Sequence, residues 1–335
     1  MQKNRFGCLI ALLCVLLAFS VLFNIALVAA KTRRLAAPRL MTPRAPEFDE
    51  QTVANSTGAT GDKIALVTLR GLISSSVGGS LGETMVDDIK IALRQALDDR
   101  RIKAIVLHID SPGGEVTASD EIYAAVKNAR AQKPVVIYMG SLAASGGYYV
   151  SCGGTWLVAN ETTITGSIGV IIETLNYQQL FGKLGLDMIV FKSGQFKDIL
   201  NGARAMSDEE KQLMQNMVMQ TYGKFVGIVA KERGLPEEQL RTGIADGRIL
   251  SGKDALGFKL VNQLGQIEDA YAKARDLGHA PGAAVVRYTA SFHLGRLLRL
   301  LGQSESTKIE LNLSEKLVPK LESGRLYLLP GFYAP

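Results

Sequence analysis

One serine in this chain has the surroundings of a nucleophile. Ser145 lies in the stretch MGSLAASGGYYVSCGG, residues 139–154, among small side chains. A serine hydroxyl is a weak nucleophile until a neighbouring base removes its proton, and histidine is the base used most often. Of the three histidines, His108 is predicted to be a core residue of a buried strand, while His279 and His293 lie in a C-terminal part with loop-like sequence. A Ser-His-Asp triad therefore has little support.

Lysine is the alternative base, provided that it is neutral. With an unperturbed pKa near 10.4, only about one lysine in two thousand is unprotonated at pH 7. Burial away from carboxylates must therefore lower the pKa by several units. The stretch FKSGQFKDI supplies Lys192 and Lys197 after a predicted strand and before a predicted helix that begins with Ser207 and Glu210. Periodicity alone leaves both lysines open as the base.

Glycine pairs follow two of the predicted strands. Gly113 and Gly114 come after residues 102–110, and Gly146 directly follows Ser145. Backbone amides of Gly113 and Gly146 could point at one oxygen as an oxyanion hole, in which each donor contributes about 3–4 kcal/mol to an acyl-transfer transition state. The alternative interpretation is that both glycine pairs are tight turns.

The elements that must position these residues alternate between strands and helices. Buried strands are predicted over 63–71, 101–110 and 133–140. An amphipathic helix is predicted over 84–99, and a second begins at Thr117, whose spacing to Asp120 is typical of a capping box. Such alternation predicts an α/β fold with a parallel sheet and right-handed crossovers, where reactive groups lie at the ends of the strands.

The charge distribution argues against nucleic acid as a partner. The chain has a net charge of +6, but residues 1–46 hold seven of the 38 basic residues and none of the 32 acidic residues. The rest of the chain is close to neutral, so the basic excess belongs to the N-terminal segment, which also contains an apolar stretch over residues 8–30. No metal-binding or phosphate-loop motif occurs, so no metal or cofactor is expected. Cys152 is the one cysteine beyond that stretch, which excludes a disulfide framework in the folded part.

The apolar stretch has the length of a membrane span. Residues 8–30, CLIALLCVLLAFSVLFNIALVAA, are 23 uncharged residues, and at about 1.5 Å per residue they can cross a hydrocarbon core of about 30 Å. We predict a transmembrane helix, with a cleaved signal peptide as the alternative. Two basic residues precede the stretch and five follow it, which by the positive-inside rule would place the rest of the chain in the cytosol.

Five motifs together resemble one known family. HIDSPGGEV, MGSLAASGGYYV, TITGSIGVI, KSGQFKDI and DGRILSGKDALGFKLVNQLG, in this order, are similar to the signal peptide peptidase A (SppA) family, peptidase family S49, in its short, single-repeat, membrane-anchored form. The resemblance implies a fold like that of Clp protease and crotonase, a spiral of repeated ββα units, preceded here by one N-terminal transmembrane helix. It also implies a Ser/Lys dyad rather than a triad.

The resemblance assigns a role to each candidate residue. It implies that Lys192 has a structural role only. The residues implied in the site are Ser145 as the nucleophile, Lys197 as the general base, Ser167 as the hydroxyl that orients Lys197, and Gly113, Gly114 and Gly146 as the oxyanion segment.

The domain boundaries follow from these motifs and from composition. The expected parts are a short tail over 1–7, the anchor over 8–30, a flexible linker over 31–62, the S49 peptidase domain over 63–290 and a C-terminal extension over 291–335. The extension ends in an apolar tail, residues 323–335, which we expect to occupy a peptide groove by strand addition. The alternative is that the tail packs on the protomer or on lipid.

The resemblance also implies a function and partners. The expected enzyme is a membrane-anchored serine endopeptidase that degrades remnant signal peptides and other apolar peptides. Its catalytic domain is expected on the extracytoplasmic side, against the charge count, in a homo-oligomeric ring whose adjacent protomers supply Ser and Lys to one site. The alternatives are a crotonase-type acyl-CoA enzyme and a non-catalytic membrane scaffold.

Overall fold

The computed structural model describes residues 48–58, 60–75, 84–290 and 327–328, together with the isolated Leu17 and Ser20. The predicted tail over 1–7 and most of the predicted transmembrane segment over 8–30 lie outside these residues. Within the part of the chain that is described, no helix combines the length and the apolar character that a membrane crossing requires. The fold below is that of the unit Glu47–Pro335.

Strands and helices alternate through most of this unit, as the sequence predicts. The strands are, in chain order, β1 (Phe48–Ala54), β2 (Lys63–Arg70), β3 (Ile102–Ser111), β4 (Gly114–Glu115), β5 (Val135–Ala144), β6 (Trp156–Ala159), β7 (Ile164–Gly166), β8 (Ile249–Ser251), β9 (Gln263–Leu264), β10 (Ala284–Ala290) and β11 (Tyr327–Leu328). The helices are α1 (Met85–Asp98), α2 (Val116–Arg130), α3 (Gly146–Ser151), α4 (Gln178–Lys183), α5 (Asp208–Arg233), α6 (Glu237–Thr242), α7 (Gly252–Gly257) and α8 (Ile267–Leu277).

Most of the central sheet is parallel. Its strand order is β1-β10-β2-β3-β5-β6-β9, and every neighbouring pair is parallel except β1 with β10. Strand β5 continues beyond its pairing with β6 and pairs in parallel with β7, which pairs antiparallel with β8. The carboxyl end of β5 thus lies where the sheet branches.

Both faces of the sheet are buried. In β2, Ile64 and Leu66 face one layer while Ala65 and Val67 face the other, because side chains alternate along a strand. Helix α8 covers the first face, and helices α1, α2, α3 and α5 cover the second. Parallel strands that are covered on both sides have nearly continuous apolar sequences, as the strands of this sheet do.

Capping decides where the helices begin. Thr84 caps α1 and Ser207 caps α5, in each case with a full capping box. The capping box predicted from Thr117 to Asp120 is wrong, because α2 already begins at Val116 and its N-cap residue, Glu115, makes no capping hydrogen bond with its side chain. The Asp120 carboxylate instead accepts hydrogen bonds from Tyr149 and Lys224.

The predicted linker over 31–62 is wrong in its last part. Residues Phe48–Ala54 form β1, which pairs antiparallel with β10 at the edge of the sheet. Phe48 is buried and stacks on Tyr288 at 6.2 Å between ring centroids, and its backbone exchanges hydrogen bonds with the Gln95 amide. These contacts involve residues distant in sequence, so local composition does not reveal them. The folded body therefore includes Phe48–Ala54 and does not begin at Lys63.

One segment stands apart from this core. Residues 172–206, which we call the arm, contain α4 and bury only Gly202. The strand predicted before Lys192 is absent: residues 186–191 belong to no helix or strand and have no strand partner in the described chain. The large apolar side chains exposed on the arm are Leu175, Leu180, Leu184, Leu186, Met188, Ile189, Val190, Phe191 and Phe196.

Candidate active site

Ser145 lies at the junction between β5 and α3. Its backbone amide donates to Gly166 O at 2.8 Å, and its carbonyl accepts from Tyr149 N at 2.8 Å. The residue has φ 50° and ψ −112°, which costs a non-glycine residue about 1–3 kcal/mol and is typical of functional sites. The side chain is 0% exposed, and its Oγ has no hydrogen-bond partner among the described residues.

Ser167 occupies the equivalent position on the neighbouring strand. It follows β7, has φ 50°, is buried and donates its amide to Arg248 O at 2.7 Å. The parallel register pairs Ala144 with Gly166, so the two serines leave the same edge of the sheet side by side.

Two glycine turns meet beside Ser145. Gly113 has φ 102°, and a Cβ added to it would lie 2.5 Å from Gly146 N. A Cβ added to Gly146 would lie 3.0 Å from Gly113 Cα and 2.6 Å from Ser119 Oγ. Side chains are therefore excluded at both positions. The amide of Gly113 donates to Ser111 Oγ at 3.1 Å. The other members of the predicted oxyanion segment are Gly146 and Gly114, and Gly114 is in register with Leu328.

The apolar tail forms a strand against this segment. Tyr327 and Leu328 are buried and pair antiparallel with β4, in register with Glu115 and Gly114. On its other side, Tyr327 exchanges two backbone hydrogen bonds of 3.1 Å with Ile171. Strand addition by the tail is thus observed for these two residues, within one chain. That the place they occupy is a peptide groove stays a prediction.

The position of the Leu328 carbonyl follows from the strand pattern. The backbone N–H and C=O groups of successive residues in a strand point to opposite sides. Those of Tyr327 face Ile171, so those of Leu328 face β4. A Cβ added to Gly113 would lie 2.0 Å from Leu328 O and 2.5 Å from Gly146 N. The Leu328 carbonyl oxygen therefore lies against the glycine turns, where an acyl oxygen would be needed.

Within one chain, Lys197 is not hydrogen-bonded to Ser145. It lies on the arm with an exposed side chain, and the described residues contain no hydrogen bond between it and either serine. Lys192 differs, because its ammonium donates to Asp198 Oδ1 at 2.8 Å and to Gln195 O at 3.1 Å. The described residues thus bring the serines and glycines together, while neither lysine is hydrogen-bonded to Ser145.

His108 lies on β3 and packs against Tyr138, with 5.2 Å between ring centroids. Burial lowers its pKa, because the charged imidazolium would be desolvated. It makes no hydrogen bond to Ser145 in the described residues, so it offers no base there.

Sequence reasoning missed Ser119 in α2. This serine is fully buried, and its Oγ lacks a hydrogen-bond partner among the described residues, although it lies against Gly146. Most buried hydroxyls are hydrogen-bonded, so two unpaired hydroxyls around one glycine turn are unusual. A single serine in a helix gives no sequence signal of such a position.

A cavity of about 400 Å³, lined by apolar side chains and also by Glu173, Lys211 and Gln215, lies next to the residue that pairs with the tail. Its lining includes Ile171, Leu200, Met206, Met214 and Val218. The two methionine side chains are flexible and can adapt to different apolar side chains.

Comparison with known proteins identifies the family. The model of peptidase family S49 matches residues 127–280, and that of Clp protease matches residues 76–157. A relative from Enterococcus faecium named signal peptide peptidase SppA is 33% identical over 300 residues, which cover 86% of this chain and 85% of that protein. Protease 4 of Salmonella typhi is 37% identical over 222 residues, 65% of this chain and 35% of that protein, so the match spans about a third of Protease 4.

Among solved structures, a ClpP1 mutant from Listeria monocytogenes is similar, with a TM-score of 0.42 and 16% identity over 61% of this chain and 93% of that one.

The fold is therefore an α/β fold of the Clp protease type, and the protein is a serine peptidase. The chain belongs to peptidase family S49 and is of the SppA type. This assignment favours the peptidase over the acyl-CoA enzyme and the non-catalytic scaffold.

Proposed function

We propose that this chain is a membrane-anchored endopeptidase that degrades remnant signal peptides and other apolar peptides, with Ser145 as nucleophile and Lys197 as general base. The observation that supports this most strongly is the extended segment Tyr327–Leu328. It lies between β4 and Ile171, as a bound peptide would, with its Leu328 carbonyl against the turns that flank Ser145.

The proposed mechanism uses a neutral lysine. Lys197 takes the proton from Ser145 Oγ, which attacks the peptide carbonyl, and the amides of Gly114 and Gly146 stabilise the oxyanion. The lysine then returns the proton to the leaving amine, and water hydrolyses the acyl-enzyme. Ser167, beside Ser145 at the sheet edge, holds the lysine amine in position.

The proposed active site needs two copies of the chain. Ser145 Oγ is buried without a base partner in the described residues, while Lys197 is on an arm whose apolar side chains are exposed. Phe191 in that arm is 96% exposed. An apolar surface of this kind is typical of a subunit contact. We therefore place the arm of one copy against the next copy in a ring, where it brings Lys197 to Ser145 of its neighbour.

The proposed substrate class follows from the groove. The cavity beside Ile171 accepts an apolar side chain of an extended peptide, and Met206 and Met214 adapt to its shape. The relative from Enterococcus faecium is named a signal peptide peptidase. The uncharged stretch over 8–30 would anchor the chain to the membrane in which such peptides remain, with the catalytic body, residues 48–290, on the extracytoplasmic side.

The tail has a proposed regulatory role at the same groove. Because Tyr327 and Leu328 occupy the positions of a bound peptide, the tail competes with substrate and restrains hydrolysis. The Leu328–Leu329 bond is then the one presented to Ser145.

Labelling with a serine-directed fluorophosphonate tests the assignment of the two catalytic residues. The purified full chain should be labelled at Ser145 and should hydrolyse an apolar reporter peptide, and Ser145→Ala should lose both properties. Lys197→Ala should lose hydrolysis and most of the labelling, whereas Lys192→Ala should remain labelled. Loss of labelling in Lys192→Ala with full activity in Lys197→Ala would reassign the base.

A further inference from the structure

The residue that follows Lys197 is held by an arginine fork. Arg204 donates from Nε to Asp198 Oδ2 at 2.8 Å and from Nη2 to Asp198 Oδ1 at 2.7 Å. The Asp198 side chain is only 10% exposed, although it belongs to the exposed arm. A two-point contact between guanidinium and carboxylate fixes orientation as well as distance. The position of Asp198, and with it the backbone of the adjacent Lys197, is therefore fixed by Arg204.

The same arginine connects Asp198 to the start of α5. Arg204 Nη1 donates to Glu210 Oε2 at 2.8 Å, and Nη2 reaches Glu210 Oε1. Glu210 is buried and belongs to the capping box of α5, in which its carboxylate accepts from Ser207 N at 2.8 Å. We call Asp198, Arg204 and Glu210 the clamp. It joins the loop that carries Lys197 to the N-terminal end of the longest helix in the described chain.

The charges of the clamp keep Asp198 away from Lys197. Hydrogen bonds from Arg204, and then from Lys192, hold the pKa of Asp198 well below its usual range. Arg204 likewise lowers the pKa of Glu210 to about 2. Both groups are thus carboxylates near neutral pH. No carboxylate of the described residues lies within ion-pair distance of Lys197, although Asp198 is its sequence neighbour. A carboxylate on Lys197 would favour the ammonium form, which cannot act as a base.

We propose that Arg204 is a positioning residue for the general base: it ties Asp198 to Glu210, fixes the loop over 193–203 that presents Lys197, and withholds the Asp198 carboxylate from the lysine. This inference rests on the proposed role of Lys197. Arg204 acts through the loop and touches neither substrate nor the reacting atoms.

Kinetics of Arg204 variants test the proposal. Arg204→Gln should lower kcat about 100-fold, because a misplacement of about 1 Å at a catalytic group has effects of that size. KM should change little, because the groove between β4 and Ile171 is untouched. Arg204→Lys should be intermediate, since an ammonium keeps the charge but cannot reproduce the fork.

Two further variants separate positioning from simple loss of stability. Arg204→Gln leaves the buried Glu210 carboxylate without its arginine and should lower the unfolding temperature. The double variant Arg204→Gln/Glu210→Gln also removes the Glu210 charge. It should restore the unfolding temperature but not kcat. Arg101 makes a similar fork on Asp99, with Nε–Oδ1 3.2 Å and Nη2–Oδ2 3.0 Å, before the first residue of β3. Arg101→Gln is the matched control and should keep full kcat.

Amide hydrogen exchange gives a readout that does not depend on catalysis. In Arg204→Gln, exchange should rise over residues 193–203 and stay unchanged in β3 and β5. Unchanged exchange in this loop, or increased exchange with unchanged kcat, overturns the positioning role while leaving the Ser/Lys assignment intact. Full activity of Lys197→Ala overturns the base assignment instead, so the two failures are distinguishable.

Discussion

Ser145 and Ser167 both have a backbone φ of 50°. Ser145 follows Ala144 and Ser167 follows Gly166, and these two residues are paired on adjacent parallel strands. The amide of Ser145 donates to Gly166 O at 2.8 Å, so the two turns are hydrogen-bonded to each other. A hydroxyl held at each turn gives a base two oxygen atoms to contact at one edge of the sheet.

The first prediction concerns Ser167. Ser167→Ala should lower kcat about ten- to a hundredfold, the effect expected when a group that orients a catalytic residue is lost. Steady-state hydrolysis of an apolar reporter peptide measures it. Ser167→Gly is the control, because glycine relieves the positive φ but also lacks the hydroxyl. If Ser167→Gly matches the parent enzyme, the loss in Ser167→Ala is a backbone effect and the hydroxyl has no orienting role.

The second prediction concerns the sharing of sites between copies. Ser145→Ala and Lys197→Ala should each be inactive alone, yet a dissociated and reassembled equal mixture should regain activity. In a ring with one serine and one lysine from neighbouring copies, random assembly gives about one intact site in four. Hydrolysis by the mixture measures this fraction. Two portions of Ser145→Ala mixed together are the control, and absence of recovery in a mixture that does reassemble would place both residues of a site in one chain.

The third prediction concerns the tail. If Leu328 occupies the acyl position, incubation of the parent protein should release residues 329–335, and Ser145→Ala should keep them. Intact-mass measurement decides between these outcomes. Truncation after Glu322 should raise the hydrolysis of a short apolar peptide, because it empties the groove beside β4.

Truncation after Leu328 is the matched control for the tail, since it leaves the two paired residues in place. It should raise hydrolysis much less than the longer truncation. Full-length C-termini in both parent and Ser145→Ala protein would contradict self-processing, and equal hydrolysis by the longer truncation and the parent would contradict restraint.

The fourth prediction concerns acid. The folded protein lowers the pKa of Glu210 from its ordinary 4.5 to about 2, chiefly through Arg204. A carboxylate with a lowered folded-state pKa binds protons more readily when unfolded, so its stabilisation is complete above about pH 4.5 and is lost as the pH falls towards 2. Unfolding temperatures between pH 6 and pH 2 should therefore fall less steeply in Glu210→Gln than in the parent. Parallel curves for the two proteins would show that this carboxylate is not linked to acid unfolding.

The sequence predicts those features that depend on near neighbours in the chain. Thr84 and Ser207 begin helices because each has an acidic residue three positions later, and the buried strands follow from continuous apolar runs. Thr117 has the same spacing, but tertiary contacts of Asp120 with Tyr149 and Lys224 override it.

Features that depend on contacts between residues far apart in the sequence cannot be predicted from local sequence patterns. Strand β1 pairs with β10 from the opposite end of the body, and the unpaired hydroxyl of Ser119 reaches Gly146 only through packing. At the candidate site, motif resemblance supplies the residue types, while the clamp of Asp198, Arg204 and Glu210 becomes visible only from side-chain geometry.

The arm over 172–206 buries only Gly202, so the hydrophobic core folds largely independently of it. In the proposed ring, this segment contacts a neighbouring copy instead of the core of its own chain. Exchange of the arm with that of a relative, with Arg204 retained, should therefore change which chains co-assemble while the unfolding temperature stays the same. If the proposed ring contact is right, the residues that stabilise the fold and the residues that select the neighbouring copy lie in separate segments of the chain.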